Sequence, residues 1–162
     1  MLQTGDELLK VLSQIGTDYI NHEHPPVYTV EEANQHHEGI EGIHSKNFFF
    51  KDKKKKLFLV VTLSDKKINI KELAKKIGAR SPSFGSADLL KEVLGVTPGA
   101  VTPFAVINIK EHDVKIVLDE EMMEHKLLNF HPLVNTATTT ITSGDLLKFM
   151  EHCGRKPEII LL

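Results

Sequence analysis

The run His44-Ser45-Lys46-Asn47-Phe48-Phe49-Phe50-Lys51-Asp52, then Lys53-Lys54-Lys55-Lys56, then Leu57-Phe58-Leu59-Val60-Val61-Thr62-Leu63, decides how this chain is read. Aromatic and β-branched side chains pack well on a pleated surface, whereas four successive ammonium groups stay in water. The pattern predicts a strand over Phe48–Lys51, a lysine-rich turn, and a second strand over Leu57–Leu63.

Toward the N-terminus, Thr4 to Glu7 has the capping-box spacing and opens a helix whose Leu8, Leu12 and Ile15 share one face, closed by Gly16. An extended stretch through Tyr19 and Ile20 runs into His24-Pro25-Pro26-Val27, where two prolines forbid helix. A second capping box, Thr29 to Glu32, predicts a helix ending near Gly39. Toward the C-terminus, Ile70, Leu73, Ala74 and Ile77 follow helical spacing, with Lys67, Lys71 and Lys75 along another side. A helix over 86–94 ends at Gly95, followed by a Gly- and Pro-rich loop, Gly95 to Phe104. Strands are expected over 104–109, 114–118, 127–130 and 138–141, then a helix over 144–152 and a last strand over 158–162. The sum is a mixed α/β or α+β single domain, residues 1–162, with several antiparallel strand pairs.

Composition bounds the function. A chain of 162 residues with 41% hydrophobic content can fill one core without metal or disulfide staples. The net charge of −2 argues against a nucleic-acid partner until it is divided along the chain. Residues 46–80 carry eleven lysines and Arg80 against Asp52, Asp65 and Glu72, a balance of +9, leaving −11 elsewhere. Such asymmetry is either a solvated lysine face or a docking face for an anionic partner. Cys153 is the single cysteine, so no intramolecular disulfide forms. The N-terminus lacks a basic segment followed by an apolar one, and the apolar runs at 57–63 and 159–162 are too short to span a bilayer. A cytoplasmic protein without a membrane partner is expected.

Several chemistries lack their residues. The nine histidines include His22 and His24 on one strand face and His36 beside His37, but no Cys pair, H-E-x-x-H or carboxylate cluster accompanies them. Cys153 falls near a helix C-terminus, where the dipole disfavours a thiolate. Phosphate-loop, dinucleotide and Gly-x-Ser-x-Gly patterns are missing. Polar residues instead gather in three segments: His44 to Asp52, Gly95 to Phe104, and Phe130-His131-Pro132-Leu133-Val134-Asn135-Thr136-Ala137-Thr138. Taken singly these read as a strand start, a rigid turn and an Asx- or ST-type turn.

In series, the three segments resemble the YbaK family of aminoacyl-tRNA editing domains. The order is His-x-Lys-Asn-x-Phe-x-Lys-Asp, Gly-Val-x-Pro-Gly-x-Val-Thr-Pro-Phe and Phe-His-Pro-Leu-x-Asn. The chain is most similar to the free-standing branch related to the insertion domain of bacterial prolyl-tRNA synthetase, which removes alanine wrongly attached to proline tRNA. The resemblance runs from the first helix to the last. It implies a mixed, mostly antiparallel curved sheet or barrel surrounded by helices. Ala100 departs from the pattern, standing where serine would be expected after Pro-Gly.

The implied reaction is hydrolysis of the ester joining an amino acid to the terminal adenosine of tRNA, a second sieve that admits alanine and rejects proline. The resemblance gives Lys46 the key position, as a point charge for the terminal phosphate or the ester, with Asn47 orienting it or binding substrate. Backbone N–H groups at Gly99 and Ala100 become oxyanion donors. His131 either orients water, serves as acid or base, or is a structural turn residue. His44, Lys51, Arg80 and Pro98 fall among the substrate- and tRNA-contacting positions, and a phenylalanine from 48–50 either stacks on adenine or packs in the core. Lys53 to Lys56 either extend the phosphate surface or form a solvated hairpin tip.

The implied partner is the acceptor end of tRNA(Pro) carrying a mischarged amino acid, with prolyl-tRNA synthetase or an elongation factor beside it. No DNA, cofactor or metal is implied. The alternatives are a deacylase for cysteine, serine or threonine, a non-catalytic tRNA-binding or regulatory module, and a small-molecule binding protein.

Overall fold

The structure, a computed structural model, describes residues 4–26 and 39–162. The helix expected after Thr29 and the pair His36 and His37 lie outside the described residues.

Helix α1 (Gly5–Gln14) starts where Thr4 Oγ1 accepts the Glu7 N–H at 3.3 Å. The chain then forms β1 (Tyr19–Glu23), β2 (Ile43–Lys51), β3 (Leu57–Leu63), α2 (Ile70–Ile77), β4 (Ser83–Phe84) and α3 (Ala87–Leu94). Two 3-10 turns, Pro98–Ala100 and Pro103–Asn108, lead to β5 (Val114–Asp119), α4 (Glu120–Met123), β6 (Leu127–Phe130), β7 (Ala137–Thr142), α5 (Ser143–His152) and β8 (Glu158–Ile160). No helix among the described residues is long and apolar enough to cross a membrane.

The sheet has the order β1-β7-β6-β2-β3-β5-β8, with β4 also on β2. Its β1–β7, β2–β3, β2–β4 and β6–β7 pairs are antiparallel, while β2–β6, β3–β5 and β5–β8 are parallel. It ends in β1 and β8, so of the two forms expected it is the open sheet and not a closed barrel.

Every residue of β3 is buried, as a central strand covered on both faces requires. Leu57, Leu59, Val61 and Leu63 point into the main core with Phe49, Phe104 and Phe130. Phe58 and Val60 point the other way, into a smaller core with Phe50, Leu73, Ile77 and Val117 beneath α2. Strand alternation thus gives β2 and β3 two insides.

Three expectations change. The apolar run 104–109 is not a strand but mostly a 3-10 turn, because Pro103 presets φ at its start and Thr102 Oγ1 caps the Phe104 N–H at 3.3 Å. A short buried apolar run does not reveal its own period. Lys67 precedes the Asn69 cap of α2, so it does not continue the Lys71–Lys75 row along that helix. Strand β2 begins five residues before Phe48, at Ile43, which brings Lys46 and Asn47 onto the sheet.

Candidate functional site

One edge of β2 is paired by β3 from Ser45 to Lys51. The other meets β6 at Ile43 and His44 and β4 at Phe50 and Lys51. The Gly85 N–H reaches Phe49 O at 2.8 Å, and a Cβ on Gly85 would lie 2.7 Å from the Phe49 ring, so only glycine lets β4 come this close. Between these contacts, among the described residues, no strand pairs with β2. The sheet has a gap there, and Lys46 and Asn47 stand in it on opposite faces.

Lys46 Nζ donates to the carbonyl of Lys66, in the segment after β3. That segment is pinned from beneath. Lys66 Nζ lies 2.7 Å from Asp119 Oδ2 and 2.5 Å from Glu121 Oε2, and donates to Leu162 O at 3.1 Å. Asp119 is fully buried and also accepts from Thr62 Oγ1 at 2.5 Å and the Leu162 N–H at 3.3 Å. Burial alone would raise its pKa, but the Lys66 and Thr62 hydrogen bonds, the Leu162 N–H and the Lys66 charge outweigh it and hold the carboxyl below its ordinary value. Burial would likewise lower the Lys66 pKa, and the two carboxylates raise it instead. Lys46 is therefore parked on a carbonyl whose position a buried ion pair determines.

Asn47 belongs to a polar relay on the other face. Asn129, 2% exposed, donates to Glu41 O at 2.9 Å and Ile43 O at 3.0 Å and accepts from Thr140 Oγ1 at 2.6 Å. Its carbonyl accepts Ser45 Oγ at 2.9 Å, and Ser45 Oγ in turn accepts Asn47 Nδ2 at 3.3 Å. Asn47 Oδ1 is buried with no hydrogen-bond partner among the described residues. His44, half-buried in the same strand, accepts the Ser64 N–H on its carbonyl at 2.9 Å.

The second and third motifs meet each other. A Cβ on Gly99 would stand 3.2 Å from Asn135 Nδ2, so this glycine lets the two loops touch. Pro98 and Gly99 are exposed, and Ala100 is buried in the main core. The Ala100 N–H already donates to Thr97 O at 2.9 Å, so it is not an open oxyanion donor, and of the two expected positions Gly99 alone is left. His131 Nδ1 bonds Ala137 O at 2.9 Å across the β6–β7 turn. A carbonyl only accepts, so Nδ1 carries the proton. Burial pushes the ring's pKa down, the Ala137 contact opposes this, and the His24 ring, 6.4 Å away, adds to the lowering. His131 thus has a structural task.

The basic residues are organised by Asp52. Its Oδ1 accepts the Lys54 and Lys56 N–H groups, each at 2.9 Å, and its Oδ2 the Arg80 N–H at 3.0 Å. Burial would raise its pKa, but the Arg80, Lys56 and Lys54 N–H groups and the Lys56 charge hold it below its ordinary value. The Lys53 N–H reaches Arg80 O at 2.7 Å. Lys51, Lys53 to Lys56 and Arg80 are all exposed on this one lip. Beside it Phe84, 64% exposed, packs on Phe50 at 5.1 Å and Phe48 at 6.0 Å between ring centroids. Of the three phenylalanines considered from the sequence, Phe49 and Phe50 are buried and Phe48 is half-buried; the exposed ring is Phe84.

The structure therefore joins Lys51 to Arg80 and Gly99 to Asn135, and sets Lys46 beside Asn47. Among the described residues no hydrogen bond links His131 to Lys46 or Asn47. Cys153 is a half-buried thiol whose pKa burial pushes up to about 11. Sequence reading missed Ser45, Asn129, Lys66, Asp119 and Phe84. Asp119 before two glutamates reads as a plain helix start, and β4 is too short to show a period. A cavity of about 560 Å³ beside β1, lined by Thr17, Tyr19, His22, Leu127 and Thr142 among others, includes none of the expected site residues. Among the described residues no group of three or more metal-ligand side chains assembles.

A sheet opened at one strand, with a lysine and an oriented amide in the opening and a cationic, aromatic lip alongside, suits an anionic ligand with a small head group. The chain belongs to the aminoacyl-tRNA editing domain family, whose model matches residues 24–149. It is 43% identical over 167 residues to prolyl-tRNA synthetase associated domain-containing protein 1 of Bos taurus, covering 96% of each chain. It is 37% identical over 145 residues to the prolyl-tRNA editing protein ProX of Acetoanaerobium sticklandii, covering 88% of each. The same fold occurs in a solved structure described as a candidate trans-editing enzyme for prolyl tRNA synthetase, with a TM-score of 0.70, 17% identity and 98% of each chain covered.

Proposed function

We propose that this chain is a trans-editing deacylase that hydrolyses the ester of alanine mischarged onto tRNA(Pro). The observation that carries the reading is the gap in β2, where Lys46 and Asn47 stand beside the lip of Lys51, Lys53 to Lys56 and Arg80. The relatives named for prolyl-tRNA editing and association support the choice of tRNA. In this reading the lip holds acceptor-stem phosphates and Phe84 stacks on an unpaired base near the reacting end. His44 and Pro98 border the substrate.

Lys46 leaves the Lys66 carbonyl for the terminal phosphate or the ester oxygen, where a point charge stabilises developing negative charge. Water adds to the carbonyl carbon, the ester C–O bond breaks, and the departing ribose oxygen takes up a proton. No covalent intermediate is needed, in keeping with a Cys153 thiol held protonated by burial. The Gly99 backbone faces the oxyanion, and His131 positions the loop that carries Asn135.

The test is release of Ala, Cys, Ser and Pro from separately charged tRNA(Pro), with Lys46→Ala beside the wild type. Alanine should leave fastest and proline should be spared. Faster loss of another residue reassigns the specificity, and no release at micromolar protein sinks the hydrolase.

A further inference from the structure

The Asn47 amide is oriented by a chain of hydrogen bonds that ends unfinished. A serine hydroxyl has one proton to give. Ser45 gives its proton to Asn129 O, a pure acceptor, so toward Asn47 it can only accept. This places Nδ2 against Ser45 and turns Oδ1 away from it, whichever way the amide might otherwise be assigned. Asn129 is held in turn by Glu41, Ile43 and Thr140. Every polar atom in the relay is satisfied except Asn47 Oδ1, which is buried and without a partner among the described residues. A buried acceptor with nothing to accept is costly, and a fully anchored relay that terminates in one points to a donor brought by the ligand.

Which donor follows from the face. Asn47 shares its side of β2 with Ser45 and Phe49, and Phe49 lies in the core that holds Ala100 and Leu133. Around Asn47 that side is neutral and apolar, and its next member, Lys51, is exposed at the far end of the strand, where it joins the lip. The cations that would hold ribose and phosphate belong to the Lys46 side and the lip. An aminoacyl ester carries one donor on its small, non-phosphate end, the α-amino group. Resting on the deacylase reading above, we infer that Asn47 Oδ1 is the acceptor for the α-amino group of the aminoacyl ester, with Ser45 as the positioning residue that aims it.

The experiment compares alanyl-tRNA(Pro) with propionyl-tRNA(Pro), in which hydrogen replaces the amino group and no bulk is added. The readout is kcat/KM for each ester divided by its uncatalysed hydrolysis rate, which removes the difference in intrinsic lability. Wild type should favour the alanyl ester roughly ten- to a hundredfold. Asn47→Leu, which keeps the shape and removes the acceptor, should bring that ratio to about one, and Asn47→Asp should keep it well above one. If Asn47→Leu fails to fold, Ser45→Ala carries the test, since a freed amide should lower the ratio while Asn47→Asp keeps it. A wild-type ratio near one, or a ratio unchanged in folded Asn47→Leu or Ser45→Ala, overturns the inference and leaves the deacylase reading standing. Hydrolysis of neither ester by wild type overturns both. A 2′-deoxy terminal adenosine is the remaining arm: the alanyl ester should keep its dependence on Asn47 there, and if that dependence is lost the donor is the ribose hydroxyl and the inference is wrong.

Discussion

The two faces of β2 carry the same strand in opposite chemical styles. On one, Lys46, Phe48 and Phe50 lead from a parked ammonium to an aromatic stack capped by Phe84 and bordered by the Asp52-organised lysines. On the other, Ser45, Asn47 and Phe49 pass from a neutral hydrogen-bond relay into the main apolar core. A substrate that is a polyanion at one end and a small amino acid at the other needs both styles within one strand's width. The difference shows how a period of two divides one ligand between two environments.

The largest blow to the cationic face is Lys46→Ala, expected to cut deacylation about a hundredfold or more while leaving the fold intact by circular dichroism. An undiminished rate would shift the chemistry to the other face. Next is Asp119→Asn, which removes the buried carboxylate of the two that hold Lys66 and leaves only the more exposed Glu121. Denaturant titration should show a loss of about 3 kcal/mol, with slower deacylation because the carbonyl that holds Lys46 moves. The folded pKa of Asp119 is depressed, so its contribution is present above 3.8 and is lost as pH falls through the lower folded value. The variant's stability should be less sensitive to acid there.

Smaller effects sharpen the division between lip and pocket. Neutralising Lys51 and Arg80 together should weaken tRNA binding and reduce the slope of log affinity against log salt by about 1.5, since each phosphate contact contributes about 0.7–0.9. An unchanged slope would make the lip only a solvated surface. Phe84→Ala should raise KM for charged tRNA about tenfold with melting temperature unchanged, the signature of a lost stacking contact on an exposed ring. The smallest effect belongs to His131. Its folded pKa lies below 6.5, so the stability it confers is present above 6.5 and is lost as pH falls through the folded value. His131→Gln should flatten that acid limb in thermal melts; an unaltered limb would remove the ring from the account.

Much of the fold was legible because its determinants are local. Thr4 and Ser86 cap helices where a side-chain acceptor precedes an amphipathic run, whereas the Asn69 cap, which sets Lys67 outside its helix, was not read. The span of β3 is that expected from its apolar residues. The 3-10 turn at 103–108 was misread because buried apolar residues look alike in turn and strand. Of the candidate site, Lys46, Asn47 and Gly99 stand in the three motifs, and Arg80 came from the resemblance alone. The oxyanion expectation at Ala100 overlooked Thr97, whose carbonyl claims that N–H only once the turn forms.

By itself the sequence determined the caps, the apolar periods, the charge division of +9 against −11 and the residue types of three motifs. All of these depend on neighbours a few positions apart. Tertiary structure alone decided that β2 would leave one edge unpaired at Lys46 and Asn47 among the described residues, that Asp52 would bind Arg80 to the lysine turn, and that Ser45 would spend its proton on Asn129. Each joins residues 28 or more positions apart, and a hydrogen bond or a strand gap over that distance exists only after the chain has closed on itself.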